Sequence, residues 1–280
     1  GAVCAPEEIR SADFGGALKA GSSALLAALE FSAANGGRQA LTCAADCRLG
    51  KMGSLQEMIF GDGAAAVLVG SDQPIALFKG AYSLSCDFVD QLRGANTLYN
   101  RQWEDRWVRD MGYEKFIPEV ITGLCRRQGL KPSDFAKVIY PCYYGAARRN
   151  INKKLGLEPA QVEDDLLQES GDTGTAHPLL MLSKSLEEAS PGDKLLLVSY
   201  GSGCDALYFE VTPEITQFNN RKRFSDTLAH RTALDNYIKF LTWRQMAPVE
   251  LGLRGEEEQV TRWSMAWRSR AALTSSSGTW

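Results

Sequence analysis

Residues able to transfer protons or attack a carbonyl group cluster in two short segments of the chain. Residues 140–144 are Tyr-Pro-Cys-Tyr-Tyr, and residues 171–177 include one of only two histidines. Histidine exchanges protons near neutral pH, a tyrosine hydroxyl polarises a carbonyl, and a cysteine thiolate is a nucleophile. The sequence therefore predicts an acid–base site built from His177, Tyr143, Asp172 and Cys142.

Each of these candidates also has a purely structural interpretation. Cys142 can be an ordinary buried thiol, Asp172 can cap the helix that follows it, and the paired tyrosines can pack at a rim. His177 precedes Pro178. Because proline in the first turn of a helix loses no hydrogen bond, this histidine can simply begin a helix. Both interpretations stay open at the level of sequence.

Strands and helices alternate along the chain and must position these residues. Two apolar runs, residues 60–69 and 195–203, are bordered by glycines, which permit positive φ or a close backbone approach. Such alternation predicts a layered α/β fold. The expected helices span residues 21–34, 113–128, 146–155 and 177–189, and the expected strands span 40–45 and 64–69, both buried, then 75–88, 138–140, 195–199 and 207–211.

Composition limits the classes of protein that fit the chain. Its 280 residues are 44% hydrophobic and 23% charged, which suits one large core or two smaller ones. The net charge of -3 gives no global field for nucleic acid or an anionic membrane, and no apolar run approaches the roughly 20 residues of a membrane span. Seven cysteines form no CxxC pair, so no metal site or redox motif is predicted. We expect a cytoplasmic enzyme.

The glycine-bordered strands, in this order, resemble the two halves of enzymes of the thiolase superfamily. The similarity is to the branch of hydroxymethylglutaryl-CoA (HMG-CoA) synthase and the initiating ketoacyl synthases, through residues 11–16 (Ser-Ala-Asp-Phe-Gly-Gly) and 44–50 (Ala-Ala-Asp-Cys-Arg-Leu-Gly). It covers roughly residues 8–212. The resemblance implies layered α/β/α halves related by a pseudo-twofold axis.

The same resemblance implies that the opening strands and helices of the family are missing, so that the chain is an N-terminally truncated fragment with an incomplete first half. The implied division is a remainder of the N-terminal half at 1–74, a C-terminal half at 75–212, and a charged, Trp-rich extension at 213–280.

Three positions that carry condensation in the family hold other residues here. Family members use a cysteine nucleophile at a helix N-terminus, a histidine and an asparagine. The matching positions are Leu18, then Cys142 after the proline of a short strand, then Asp172 in a Gly-Asp-Thr-Gly turn. Because leucine cannot form an acyl-enzyme, the resemblance implies a rebuilt site. The expected activity is that of an HMG-CoA synthase-like acyltransferase or an aldolase-like variant using Tyr143 or Tyr144.

The resemblance further implies a coenzyme A (CoA) thioester as substrate, with no cofactor bound by the chain. The pantetheine arm would reach Leu18 beside the turn Gly201-Ser202-Gly203. Basic residues would meet the nucleotide, although such charges are also typical of a solvated face, and Lys19 of a solvated helix start. The basic candidates are Lys19, Arg148, Arg149, Lys153 and Lys154.

Two protein partners are implied as well: a second copy through the strand at 41–45, and a zinc-ribbon OB-fold module that binds acyl-CoA. The alternative to an enzyme is a non-catalytic condensing-fold subunit that supports an active subunit or docks that module.

Overall fold

The computed structural model describes residues 9–94, 96–218 and 223–247. They belong to two compact units, one spanning Asp13–Arg231 and the other combining Gly1–Ala12 with Thr232–Trp280. Every candidate site residue lies in the first unit. In the second unit, the described part contains a short helix that the Asn236 side chain caps. The tryptophans at 263 and 267, which belong to the predicted extension, lie outside the described residues.

Helices and strands alternate through the larger unit. The helices are α1 (Ala20–Ala34), α2 (Leu55–Ile59), α3 (Asp105–Trp107), α4 (Glu114–Gln128), α5 (Gly145–Leu155), α6 (His177–Glu188), α7 (Ile215–Phe218) and α8 (Phe224–Ala229), followed by α9 (Tyr237–Trp243) in the smaller unit. The strands are β1 (Ala40–Cys47), β2 (Asp62–Val69), β3 (Ala76–Ser85), β4 (Gln91–Leu92), β5 (Arg101–Gln102), β6 (Lys137–Ile139), β7 (Lys194–Tyr200) and β8 (Gly203–Val211). A π-helical turn, Val108–Tyr113, leads into α4.

The main sheet has the strand order β3-β8-β7-β6 and is covered on both faces. β8 is antiparallel to both of its neighbours, and β6 is parallel to β7. Because side chains alternate along a strand, Leu196 and Val198 pack with α4 and α5, while Leu195 and Leu197 pack with α6 on the other face. This double coverage explains why β7 and β8 are apolar almost throughout.

Helices α1 and α6 form the layer between the main sheet and a smaller sheet. The smaller sheet is the antiparallel pair β1–β2, which contacts both helices. On their other side, α6 contacts β6 and β7, and α1 contacts β8. The start of each of these two helices is therefore enclosed by segments from distant parts of the sequence. The layered α/β architecture expected from the sequence is present.

The strands predicted at 40–45 and 64–69 are confirmed as β1 and β2, but the prediction that they are buried was wrong. The cross-strand pair Leu41 and Leu68 is 64% and 65% exposed, and alternate residues along both strands are exposed with them. Their sequences are apolar on both faces, so alternation of polarity could not reveal one-sided burial. The sequence also left residues 89–112 unassigned, where the structure places the hairpin β4–β5, α3 and the π-helical turn. Among the residues described, no helix is both long and apolar enough to cross a membrane.

Replacing Gly21 by alanine is expected to destabilise the protein. A Cβ atom there would lie 2.4 Å from the main-chain oxygen of Thr175, so α1 would have to move away from the turn before α6. Overpacking of this kind costs about 1–3 kcal/mol, more than alanine gains as a helix former. Denaturant unfolding of Gly21→Ala measures the loss. The matched control is Gly15→Ala, whose Cβ would have nothing within 4 Å. Equal stabilities of the two variants would contradict this account of the α1 packing.

Candidate active site

One narrow cavity at the start of α1 brings together the four predicted catalytic residues and Leu18. Its wall includes Leu18, Cys142, Tyr143, Asp172 and His177. Its volume of about 10 Å³ accommodates roughly one water molecule. The other lining residues are Tyr113, Pro141, Leu167, Gly174, Pro178 and Tyr200.

The two glycine signatures support this cavity because both turns approach other backbone closely. A Cβ atom on Gly61 would lie 1.9 Å from the carbonyl oxygen of Ser170. The Gly61 N–H donates to the main-chain oxygen of Asp172 at 3.0 Å. A Cβ atom on Gly201, whose φ is +152°, would lie 2.7 Å from the amide nitrogen of Leu18. The two turns therefore brace different walls of the cavity, one at Asp172 and one at Leu18.

A buried ion pair that the sequence analysis missed holds Asp172. Arg48 is 1% exposed, and its Nη1 lies 2.5 Å from Oδ2 of Asp172. The guanidinium stacks 3.6 Å from the ring centroid of Phe60, and its Nη2 donates to the side-chain oxygen of Gln91. The other carboxylate oxygen of Asp172 accepts the Gly174 N–H at 2.9 Å. Asp172 thus orders the turn before α6 and is half of an ion pair, but it does not cap α6 as predicted, because no side chain caps the start of that helix.

Two buried aspartates beside the cavity have pKa values shifted in opposite directions. Burial alone would raise the pKa of Asp172, but the Arg48 guanidinium and the hydrogen bonds it receives hold that pKa below its usual value. Burial raises the pKa of Asp90, although the Tyr200 hydroxyl donates to its Oδ2 at 2.7 Å. Arg48 is too weakly coupled to Asp90 to reverse that rise.

His177 is 1% exposed, and main-chain groups occupy both of its ring nitrogens. Nε2 lies 2.7 Å from the carbonyl oxygen of Asp165, which can only accept, so Nε2 carries the proton. Nδ1 then accepts the Thr173 N–H at 3.2 Å. A direct proton transfer to substrate would have to break one of these bonds. The geometry therefore fits a group that positions the turn before α6 better than the acid–base role predicted from sequence.

Cys142 is not prepared for attack as a nucleophile. It is 2% exposed, and burial raises the pKa of its thiol to about 12. The thiolate is the reactive form of cysteine, and a thiol with such a pKa stays protonated at neutral pH. The structure therefore agrees with the interpretation of Cys142 as a buried cysteine.

Four tyrosines pack together at the site and are called here the tyrosine cluster: Tyr113, Tyr143, Tyr144 and Tyr200. All of them except Tyr144 line the cavity. Ring centroids lie 4.1 Å apart for Tyr113 and Tyr200, and 4.4 Å apart for Tyr143 and Tyr144. Burial raises the pKa of all four phenols above the ordinary value. They are therefore neutral hydroxyl groups at physiological pH, able to donate a hydrogen bond but not to persist as anions.

Lys19 is neither solvated nor free to meet a phosphate, so both interpretations of it were wrong. Its side chain is 12% exposed, and its Nζ lies 3.0 Å from Oδ1 of Asp205 and 3.1 Å from the Leu84 oxygen. The same carboxylate accepts hydrogen bonds from Ser22 and Ser23. Because a buried carboxylate needs its partners, Lys19 is committed to tying the start of α1 to β8.

Arg148 and Arg149 are adjacent in sequence but lie in different environments. The Arg148 side chain is 13% exposed, and its Nη1 lies 2.5 Å from Oδ2 of Asp165. Because it is engaged in this ion pair, it does not face solvent as a residue predicted to contact a CoA phosphate would. Arg149 is exposed on α5, with Lys153 and Lys154. Arg149 therefore remains the candidate for an external anion. Within the described ranges, no group of three or more His, Cys, Asp or Glu side chains is arranged to hold a metal ion.

Several polar residues at the site had little or no signal in the sequence. Arg48 had a weak signal, since it is a charged residue that closely follows a predicted strand and lies two positions before a glycine. Gln91, Gln102 and Asp105 offered none, because they come from a hairpin and a helical turn without strong periodicity. Their role appears only when the hairpin β4–β5 lies over the tyrosine cluster, as described below.

The fold defines a class of protein when it is compared with known structures. An HMG-CoA synthase complexed with CoA superposes with a TM-score of 0.70 at 21% identity, over 87% of this chain and 67% of that one. The structure described as MvaS in complex with 3-hydroxy-3-methylglutaryl coenzyme A gives 0.71 at 19% identity, over 87% and 68%. The fold is that of thiolase-like condensing enzymes.

Sequence comparison gives the branch. The family model "3-Oxoacyl-[acyl-carrier-protein (ACP)] synthase III C terminal" matches residues 125–208. The hydroxymethylglutaryl-CoA synthase of Methanopyrus kandleri is 31% identical over 223 residues, which cover 79% of this chain and 63% of that protein. That of Pyrococcus furiosus is 30% identical over 252 residues, with 85% and 72% covered. The chain belongs to the HMG-CoA synthase-like branch of the thiolase superfamily, and it spans 63% and 72% of the length of these two relatives.

Asp172→Asn and Asp90→Asn should change the pH dependence of stability in opposite senses. The pKa of Asp172 is lower in the folded state, so its stabilising contribution is present above the ordinary carboxyl pKa and is lost in acid as the pH falls through the folded value. The pKa of Asp90 is raised, so its contribution is present below the ordinary pKa and is lost as the pH rises through the folded value.

Denaturant unfolding between about pH 3 and pH 7 checks both signs. The rise of stability with pH should be flatter in Asp172→Asn and steeper in Asp90→Asn than in the parent chain. Shifts of the same sign in the two variants would show that Arg48 does not separate the two carboxylates.

Proposed function

We propose that this chain acts on CoA thioesters and makes or breaks a carbon–carbon bond without an acyl-cysteine intermediate. The observation that carries the proposal is the cavity at the start of α1, where Leu18 stands beside a protonated Cys142 and a wall of neutral tyrosines. A leucine provides no nucleophile at the helix start. Bond making or breaking would then depend on hydrogen bonding and proton transfer at the substrate oxygen.

Tyr143 is the residue assigned to proton transfer. It lines the cavity, and its hydroxyl oxygen receives a hydrogen bond from the Gln91 amide at 3.3 Å. Gln91 is oriented by Arg48, which donates to its other end. The Asp172–Arg48 pair therefore acts on the chemistry indirectly. Arg48 orients the Gln91 amide, and that amide positions the Tyr143 hydroxyl through a hydrogen bond. His177 positions the turn that carries Asp172.

The substrate class is inferred from the relatives and from an exposed basic surface on α5. The relatives are HMG-CoA synthases, and the matching structures contain CoA or 3-hydroxy-3-methylglutaryl coenzyme A. Arg149, Lys153 and Lys154 on α5 offer an exposed basic surface for the nucleotide phosphates. In this proposal the pantetheine arm runs from α5 toward Leu18. The narrow cavity must widen to admit an acyl group, for example by movement of the hairpin β4–β5.

A non-catalytic subunit is the second candidate, and the narrowness of the cavity favours it. Space for about one water molecule, together with a histidine whose nitrogens are both occupied, also fits a condensing fold retained for support or for docking. The variants below separate the two candidates, because a supporting subunit would bind without turning over substrate.

The wider assembly is inferred from the family resemblance. We take the fold to consist of two halves related by a pseudo-twofold axis, with the described strands β1 and β2 in the first half and the main sheet in the second. Among the described strands β1 pairs only with β2, which leaves an edge at residues 41–45 on which a second copy could pair. A zinc-ribbon OB-fold partner is part of the same proposal.

Tyr143→Phe should slow turnover, since the hydroxyl group is removed while the ring remains. With 3-hydroxy-3-methylglutaryl-CoA as the probe, formation of acetyl-CoA followed by liquid chromatography should fall about 10²–10⁴-fold, the range for a lost acid–base group. Cys142→Ser is the matched control and should change the rate little. An acylated cysteine in the mass spectrum, or loss of activity in Cys142→Ser, would instead make Cys142 a displaced nucleophile.

Arg149→Ala should weaken binding of a CoA thioester by about 1 kcal/mol or more, the usual contribution of a charge-assisted hydrogen bond to phosphate. Isothermal titration with 3-hydroxy-3-methylglutaryl-CoA measures the change. Arg127→Ala, on α4, is the control, because that side chain contacts the Ala81 oxygen outside the site. Equal affinities of the two variants would remove α5 from the proposed nucleotide site.

A further inference from the structure

The hairpin β4–β5 and α3 place polar side chains against the tyrosine cluster, and one of them reaches solvent. The Tyr143 hydroxyl lies 3.5 Å from the Tyr144 hydroxyl, and the latter donates to Oδ1 of Asp105 at 3.0 Å. Asp105 is exposed at the start of α3. Three side-chain oxygen atoms therefore lie in series from a residue of the cavity wall to a carboxylate in contact with water.

Gln102 holds this series together. Its amide oxygen accepts the Tyr143 hydroxyl at 3.0 Å, and its amide nitrogen donates to the Tyr144 hydroxyl and to Oδ1 of Asp105, the latter at 2.7 Å. One side chain thus contacts all three members. For a proton to cross, the Tyr143 hydroxyl must turn from the Gln102 oxygen toward Tyr144, and the 3.5 Å gap between the two phenols must shorten. Hydrogen bonds of catalytic groups are often long before substrate binds.

We propose that Tyr143, Tyr144 and Asp105 form a proton relay between the cavity and solvent, with Gln102 as the residue that positions it. The inference rests on the proposed role of Tyr143. A substrate O–H bond breaks, its electron pair stays on the substrate oxygen, and the proton passes to Tyr143. Tyr143 gives its own proton to Tyr144, and Tyr144 gives its proton to the Asp105 carboxylate, which releases it to water. Each phenol gains one proton as it loses one, so no tyrosinate persists, and the reverse sequence delivers a proton.

The surroundings of Tyr144 allow this direction of transfer. The titratable and charged groups that face it are Tyr143, Tyr113 from the π-helical turn, Arg109 from the same turn, and Asp105 from α3. Asp105 is the carboxylate among these groups. It is also the member that the structure places in contact with water, so a proton that reaches it can leave to solvent.

Chemical rescue tests the relay with the full chain and 3-hydroxy-3-methylglutaryl-CoA as the probe. In weak buffer, Asp105→Asn should form acetyl-CoA about ten- to a hundredfold more slowly, less than the loss expected for a group that meets substrate directly. Added formate should restore its rate, since a free carboxylate can replace an exposed one, while the parent chain should not respond. Tyr144→Phe should be slow and should not be rescued, because its inner step is missing. Asp110→Asn, on the π-helical turn and paired with Arg109, is the matched control and should behave like the parent chain.

Parent-like rates in Asp105→Asn or Tyr144→Phe, or an equal loss in Asp110→Asn, would overturn the relay. If the parent chain forms no acetyl-CoA, the proposed function fails with this probe, and a second measurement still decides the relay. In protein labelled with ¹³C at the tyrosine Cζ atoms, the signals of Tyr144 and Tyr143 should both shift as Asp105 ionises. That step should disappear in Asp105→Asn and persist in Asp110→Asn. A parent chain whose Tyr143 signal ignores the Asp105 ionisation would refute the connection.

Discussion

The arrangement of the site depends on the buried ion pair between Arg48 and Asp172. These residues are 124 positions apart in sequence and lie 2.5 Å apart in the structure, with almost no exposure to water. Removing one partner of such a pair typically costs about 3–5 kcal/mol, because the remaining charge is left buried and unpaired. The pair joins the segment after β1 to the turn before α6. It thereby fixes the part of the cavity wall formed by Asp172 relative to β1.

Further order spreads outward from this pair through directional hydrogen bonds. The guanidinium sets the orientation of the Gln91 amide, and that amide then presents its N–H to Tyr143. A second amide, Gln102, does the same between Tyr143 and Tyr144. In a buried setting such bonds reinforce one another, and a partly satisfied network would be worse than an apolar wall. The hairpin β4–β5 is therefore an integral part of the site, although it contains only two short strands.

In the proposed function, the site works without the thiolate nucleophile of a condensing enzyme. Burial among aromatic rings suppresses ionisation of both the thiol and the phenols, so the cavity contains neutral donors rather than a ready nucleophile. Lys19, the residue after Leu18, forms an ion pair with Asp205 and holds the start of α1 in place instead of taking part in the reaction. The start of α1 is thus anchored firmly by ionic and hydroxyl contacts, while its residue at the cavity is apolar.

The sequence by itself determined the class of fold, the branch of the superfamily, and five residues of the cavity wall. Helical periodicity and glycine-bordered strands are local signals, and for α4 and α6 they located the helices to within a residue or so. Leu18, Cys142, Tyr143, Asp172 and His177 were reached through motif positions. Arg48 belongs to the motif at residues 44–50, but nothing in that motif indicates that it pairs with Asp172.

Only the tertiary structure decided which hydrogen-bond and ion-pair partners the candidate site residues have. The partner of Lys19, the two main-chain contacts of His177 and the carboxylate beside Arg148 all come from segments distant in sequence or from turns whose course depends on packing. The tertiary structure likewise decided that β1 and β2 are buried on one face only, since both faces of these strands are largely apolar in sequence. Local patterns specify which element forms, whereas the charge state and availability of a side chain depend on what the folded chain places within hydrogen-bonding distance of it.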